Sequence, residues 1–222
     1  MKTKNIGIIV VLILLLGIGV WFWLSSQKGA EEEEVIPPGE ETESLTEVLG
    51  KAKGITSLEY DMVATSPGQE AVTVKMWLKG TKMRGEGTFE GQEVVYILDM
   101  DEQEAYVYIP AQNMAMKMDF GKVQETLGES PAEQSESVEE YNPVTIGTEV
   151  LDGKSCLVVE YTTETSEVKM WIWTKYGLPI KTESTTTEGT SIVELKNIGL
   201  GEISDSIFEL PAGVQIMEIP GL

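Results

Sequence analysis

The chain has 222 residues, a net charge of −21, no histidine and a single cysteine. Nucleic-acid phosphates need Lys and Arg to neutralise them, and an anionic lipid surface repels so acidic a chain, so neither is a partner held by charge. Without His there is no His-based catalytic triad and the commonest metal ligand is missing; one Cys permits no internal disulfide and no Cys-rich zinc site.

Lys2 and Lys4 precede an uncharged apolar run at residues 6–24. At the helical rise the run spans roughly 28 Å, close to a bilayer core. Trp21, Phe22 and Trp23 stand at its distal end, as an interfacial aromatic belt does. The expectation is one transmembrane helix, with residues 1–27 as a retained anchor in the cell membrane and the remainder extracytoplasmic. The rival reading is a signal peptide cleaved on secretion. The length of the run and the lack of a small-x-small cleavage site favour the anchor. Residues 28–43 read as an acidic linker: Glu31 to Glu34 repel one another, and Pro37-Pro38 extends the chain. Residues 44–222 are left to form one domain with a full-sized core.

Ser44 and Glu47 have the spacing of a capping box, and Leu45, Val48, Leu49 and Ala52 make one apolar stripe that Gly54 ends. A short packing helix is predicted there. Residues 55–64 form the first predicted strand, with Leu58, Tyr60 and Met62 on one face. Then EAVTVKMWLK, KMRGEGTF, EVVYILDMD, AYVYI and NMAMKMDF follow one another, each alternating and each ended by a turn signal. A period of two marks strands with one buried face, and the short breaks force neighbours to run antiparallel. Residues 121–142 interrupt the pattern with a polar, acidic insertion that contains Pro131: a surface loop or an ordered lid.

A second group of strands follows: VTIGTEV, SCLVVEY, VKMWIWT, PIKTEST and TSIVELKNI. DSIFELPAGV closes the chain, and Pro211 and Gly213 argue against a regular terminal strand. Val74 to Leu78 echoes Val168 to Ile172, both reading VKMW followed by an aliphatic residue, which fits either a duplicated half-sheet or two good amphipathic strands.

LDGKSCLVVEY, EVKMWIWTKYGLPIKTE and DSIFELPAGV, in that order, resemble the C-terminal half of the outer-membrane lipoprotein carrier superfamily (LolA/LolB-like). The related lipid-binding lipoproteins and a periplasmic sensor domain resemble it too. Gly177-Leu178-Pro179 and Phe208 to Gly213 carry the likeness, which covers about residues 44–217. The resemblance implies a half-barrel of about eleven antiparallel strands, with helices covering a concave apolar face that binds acyl chains. An arginine-latched lid would rest on Arg84, the chain's one arginine.

The expected fold is therefore all-β with minor helices, a curved antiparallel sheet preceded by one transmembrane helix. Met is unbranched and deformable, so a Met-lined wall suits varied lipid tails, or simply fills the space under a curved sheet. The candidate apolar wall is Met62, Val74, Met76, Leu78, Met83, Met100, Met114, Met116, Met118, Met170 and Ile172. Trp77, Trp171 and Trp173 fall on the opposite phase beside Lys75, Lys79, Lys169 and Lys175, either stacked under lysine stems or forming an exposed patch. Asp99, Asp101, Glu102 and Glu104 crowd one turn without the spacing of a calcium loop. The main expectation is a non-enzymatic, membrane-tethered, extracytoplasmic binder of lipid or another hydrophobic ligand, with no metal and no cofactor. The alternative is an envelope sensor or protein-interaction module with a closed apolar core and an envelope protein as partner.

Overall fold

A computed structural model describes residues 43–126 and 129–218. One sheet holds β1 (Ser57–Thr65), β2 (Val72–Lys79), β3 (Lys82–Phe89), β4 (Gln92–Asp99), β5 (Glu104–Ile109), β6 (Met114–Lys117), β7 (Val144–Leu151), β8 (Lys154–Thr162), β9 (Glu167–Trp173), β10 (Leu178–Thr186), β11 (Gly189–Gly199) and β12 (Gln215–Glu218). Their order across the sheet is β12-β6-β5-β4-β3-β2-β1-β11-β10-β9-β8-β7. Two antiparallel meanders, β1–β6 and β7–β11, are therefore joined where β1 pairs with β11. Only β12 runs parallel to its neighbour, β6. The expected strand number of about eleven is corrected to twelve among the described residues, and the architecture is an open, mostly antiparallel sheet consistent with a curved half-barrel.

Local chemistry sets the turns and bends. Glu90-Gly91 and Asp152-Gly153 have positive φ at both residues, the backbone of a tight hairpin that matches strand twist. Register shifts interrupt the β7–β8 pair at Thr145/Gly147, the β9–β10 pair at Pro179/Lys181 and the β1–β11 pair at Glu59/Asp61. Bulges of this kind increase twist and bend a strand, which curves the sheet.

The helices are short. α1 (Leu45–Gly50) has the predicted capping box, with Ser44 and Glu47 satisfying each other's backbone N–H, and continues as a 3-10 turn at Lys51–Gly54. The acidic insertion forms α2 (Phe120–Thr126), α3 (Pro131–Ser137) and a 3-10 turn at Val138–Tyr141. α3 repeats the capping box with Ser130 and Glu133. The hairpin between β9 and β10 lies directly against α1. A Cβ on Gly177, whose φ is +69°, would fall 2.3 Å from the Val48 carbonyl oxygen. Ser135 Oγ donates to the Gly177 carbonyl at 2.7 Å, so the same turn ties α3 to the sheet.

The expectation of a transmembrane helix is corrected. Among the described residues no helix is long and apolar enough to cross a membrane. Residues 6–24, on which the expected anchor falls, and the linker at 28–42 lie outside the described residues. The single-pass topology, the membrane as a partner through that helix and the cell-membrane location, with its secreted alternative, are without structural support.

Candidate functional site

Three rows of side chains cross one face of the β1–β6 meander. Met62, Val74, Gly87 and Val94 make the first. Tyr60, Met76, Gly85, Tyr96, Val107 and Met116 make the second. Leu58, Leu78, Met83, Leu98 and Ala105 make the third. Most of these residues are buried in one cluster, with Phe89 and Ala52 among them.

The two glycines in β3 are what allow this face to close. A Cβ on Gly85 would lie 3.0 Å from Met76 Sδ, and one on Gly87 would lie 2.9 Å from Phe89 Cε2. The volume that side chains at these positions would occupy is taken by the Met76 thioether and the Phe89 ring. Tyr60 and Tyr96 are buried here, and loss of solvation pushes both phenols far above their ordinary pKa. The Tyr96 hydroxyl is buried with no hydrogen-bond partner among the described residues.

The expected wall residues fall in several places. Val74, Met76, Met83 and Met116 are buried in this cluster, and Met62, Leu78 and Met118 are half-buried against it. Met170 and Ile172 belong to a second cluster with Leu157 and Val159, under Val48 and Leu49 of α1 and Val138. Met114 is half-buried, on β6 beside the edge strand β12. Met100 is half-buried and, with Ile55, Leu58, Leu78, Met83 and Ala132, borders an opening of about 270 Å³ at the end of the third row. A larger, open depression of about 980 Å³ lies by the β1–β2 and β3–β4 turns, bordered by Glu70, Glu86, Glu90 and Glu93 with Lys75. Val72, Gly87 and Phe89 also line it, so it adjoins the first apolar row.

The other face of the meander is covered by the closing segment, which the sequence pattern did not disclose. Trp77 is buried with Ile203 and Phe208, and Val95, Ile97, Tyr108 and Ala115 pack against Leu210 and Val214. Polar contacts hold this strap down. Lys79 Nζ donates to the Ile203 carbonyl at 2.9 Å and to Asp205 Oδ1 at 2.8 Å. Arg84 Nη1 donates to the Ile207 carbonyl at 2.8 Å, and the guanidinium also pairs with Glu86. Arg84 thus latches the C-terminal strap rather than a lid over the Met rows.

Lysines lie over the tryptophans: Lys75 over Trp77, Lys154 over Trp173, and Lys169 and Lys181 over Trp171. The Trp171 indole Nε1 donates to Glu149 Oε2 at 2.8 Å and holds that carboxyl below its ordinary pKa, with Lys169 adding to the effect. Cys156 is fully buried, and loss of solvation pushes its thiol up, away from nucleophilic use. Among the described residues no group of three or more His, Cys, Asp or Glu is placed to hold a metal ion.

Sequence reasoning also missed exposed apolar residues on the sheet edges. Val144, Ile146 and Val150 of β7 are 64, 46 and 75% exposed, and Ile216 and Met217 of β12 are 54 and 44% exposed. The segment VTIGTEV was legible as a strand. That it ends the sheet among the described residues depends on strand order, which no local pattern encodes.

No protein-family model matches the sequence, and no curated protein matches it. The fold does have solved counterparts. An uncharacterised conserved protein from Thermus thermophilus superposes with a TM-score of 0.56 at 9% identity, over 78% of this chain and 98% of that one. MucB superposes with a TM-score of 0.51 at 12% identity, over 77% of this chain. This chain spans only 63% of MucB. A MucA/MucB complex from Pseudomonas aeruginosa is matched with a TM-score of 0.49 at 15% identity, over 79% of this chain and 64% of that one. The chain therefore shares the fold of the LolA/LolB-like group of proteins. The expectation of a membrane-tethered carrier is corrected, since no helix among the described residues is long and apolar enough to cross a membrane.

Proposed function

We propose that this protein is a non-enzymatic sensor or interaction module of the LolA/LolB-like superfamily, folded as one domain over residues 44–222, whose partner is another protein. The observation that carries this reading is the closed apolar face. Met76 and Phe89 fill the trench left by Gly85 and Gly87, and Val74, Met83 and Met116 are buried among their own neighbours. Filling a cavity with native side chains leaves little apolar area for a guest to bury, and apolar burial is what drives lipid uptake. Nine of the eleven wall residues then serve as core, Met100 and Met114 lying outside the clusters. Leu78, Met83 and Met100, at the opening of about 270 Å³, are the part of that wall a small apolar group reaches first.

The test is native mass spectrometry of the full chain after delipidation and incubation with oleate, alongside titration with a fluorescent fatty-acid probe. The expected result is no stoichiometric adduct and no saturable probe signal. A one-to-one oleate complex that Met116→Trp abolishes would overturn the closed-core reading.

A further inference from the structure

β7 is the last strand of the sheet, paired with β8 on one side and with nothing on the other among the described residues. It is exposed on both faces along seven of its eight residues. Edge strands of this length are ordinarily blunted by lysine, proline or an inward charge, because an unpaired row of N–H and C=O groups recruits another strand. Here the strand reads VTIGTEVL, with one charged residue, Glu149, already engaged by Trp171 and Lys169. Val144, Ile146 and Val150 instead offer apolar side chains to solvent. In a chain of net charge −21, β7 is the longer of two nearly neutral, apolar edges, eight residues against the four of β12.

The charges around it choose among occupants. Glu139 and Glu140 precede the strand, Glu160 stands opposite Val144 in register, and all three are exposed. The lysines nearest the strand stand toward its other end or beside a carboxylate: Lys154 lies opposite Leu151, and Lys169 lies by Glu149 and opposite Glu160. A second copy brings the same net charge of −21, which opposes the approach of two whole chains, and in a parallel pairing the acidic Val144 ends would also meet. The chain's own acidic stretch at Glu31 to Glu34 has the wrong sign for the same reason. A basic extended segment meets none of this repulsion.

We propose that β7 is a docking edge for an extended segment of a partner protein. That segment adds as a further strand, places apolar side chains beside Val144, Ile146 and Val150, and carries Lys or Arg at the end that meets Val144. Main-chain pairing supplies the affinity in such strand addition, and alternate side chains with flanking charge supply the selectivity. The bulge at Thr145/Gly147 bends the edge between the paired stretches Val144–Thr145 and Gly147–Leu151, so the segment is short. This deepens the interaction-module reading and rests on it.

The experiment uses the full chain and a fluorescein-labelled ten-residue probe peptide of alternating Val and Thr with three C-terminal lysines. Controls are the same peptide with three glutamates and one with proline at two central positions. The expected result is saturable binding of the lysine peptide, weakened at least tenfold by Val144→Lys combined with Val150→Lys, and slowed amide exchange confined to β7. Both substituted residues are largely exposed, so the variant keeps its fold, which circular dichroism checks. Equal binding of the glutamate or proline peptide, or binding untouched by the double variant, would place the contact elsewhere and overturn the proposal while leaving the interaction reading standing. A concentration-dependent dimer lost in the double variant would make the occupant a second copy and equally overturn it. Oleate loading with β7 binding intact would instead overturn the closed core alone.

Discussion

Tyr96 carries a hydroxyl that the packed face leaves without a partner among the described residues, and that defect has a measurable sign. A buried polar group without a hydrogen bond costs about 1–3 kcal/mol in lost hydration. Tyr96→Phe removes the group and keeps the ring, so it is expected to raise stability by about 1 kcal/mol in urea denaturation. A loss of similar size would mean that the hydroxyl is satisfied, by a buried water or by a guest in the core. Glu149 gives a second test at the same scale. The Trp171 indole lowers its pKa, followed by Lys169. A carboxyl whose folded pKa is depressed adds stability that is complete above its unfolded value, near 4.3, and is lost as pH falls through the lower, folded value. The Trp171 Nε1–H resonance is therefore expected to titrate with a midpoint below about 4.3, and Glu149→Gln is expected to abolish that step. A midpoint at or above the ordinary value would remove the contact from the structure in solution.

The C-terminal strap is the element whose role differs most from its sequence. Phe208 is buried beside Trp77, and Ile203 completes the contact. Phe to Ala in a rigid core costs about 3–5 kcal/mol. The strap has a cheaper escape, since residues 201–214 can lift away while the meander stays paired. Phe208→Ala is thus expected to cost less than about 3 kcal/mol globally, and to red-shift tryptophan emission well below the unfolding midpoint as Trp77 meets water. A full-sized global loss without an early shift would show that strap and sheet unfold together. The strap also explains where the odd–even rhythm was legible and where it was not. β3 and the first halves of β1 and β2 alternate because one face is core and the other wetter, until the strap buries Trp77. β4 does not, and Val94 to Leu98 are buried without a break, because Leu210 and Val214 cover the face that would otherwise be wet. β12 escaped notice for a related reason. It has four residues, follows Pro211 and Gly213, and pairs with β6 about 100 residues upstream, so nothing local announces it. The Met phase did locate core-facing positions on β1, β2 and β3. Whether that wall encloses space depends on how Met76 and Phe89 fill Gly85 and Gly87, a three-dimensional fit that no spacing reports.

For the whole molecule, charge and packing pull against each other. A net charge of −21 on one chain makes the compact state repel itself. The ion pairs that offset this are mostly at the surface: Lys196 with Asp152 and Glu194, Lys79 with Asp205, Lys117 with Glu104. Exposed pairs contribute about 0–1 kcal/mol each and weaken in salt. Salt therefore removes a small gain at a few pairs and a larger loss spread over many like charges. The second effect dominates because acids outnumber bases 37 to 16, so most carboxylates have no cation available to them. Raising NaCl from about 0.02 to 0.5 M, which shortens the Debye length to a few ångströms, is expected to raise the thermal midpoint by about 2–4 °C. The same screening is expected to weaken the basic peptide at β7, because there the acidic border attracts rather than repels. Opposite salt responses of stability and binding, measured on one preparation, have a common origin in the acidic surface. A midpoint that falls with salt would instead assign the fold's electrostatics to its specific pairs, and the argument from charge against a second copy on β7 would lose its footing.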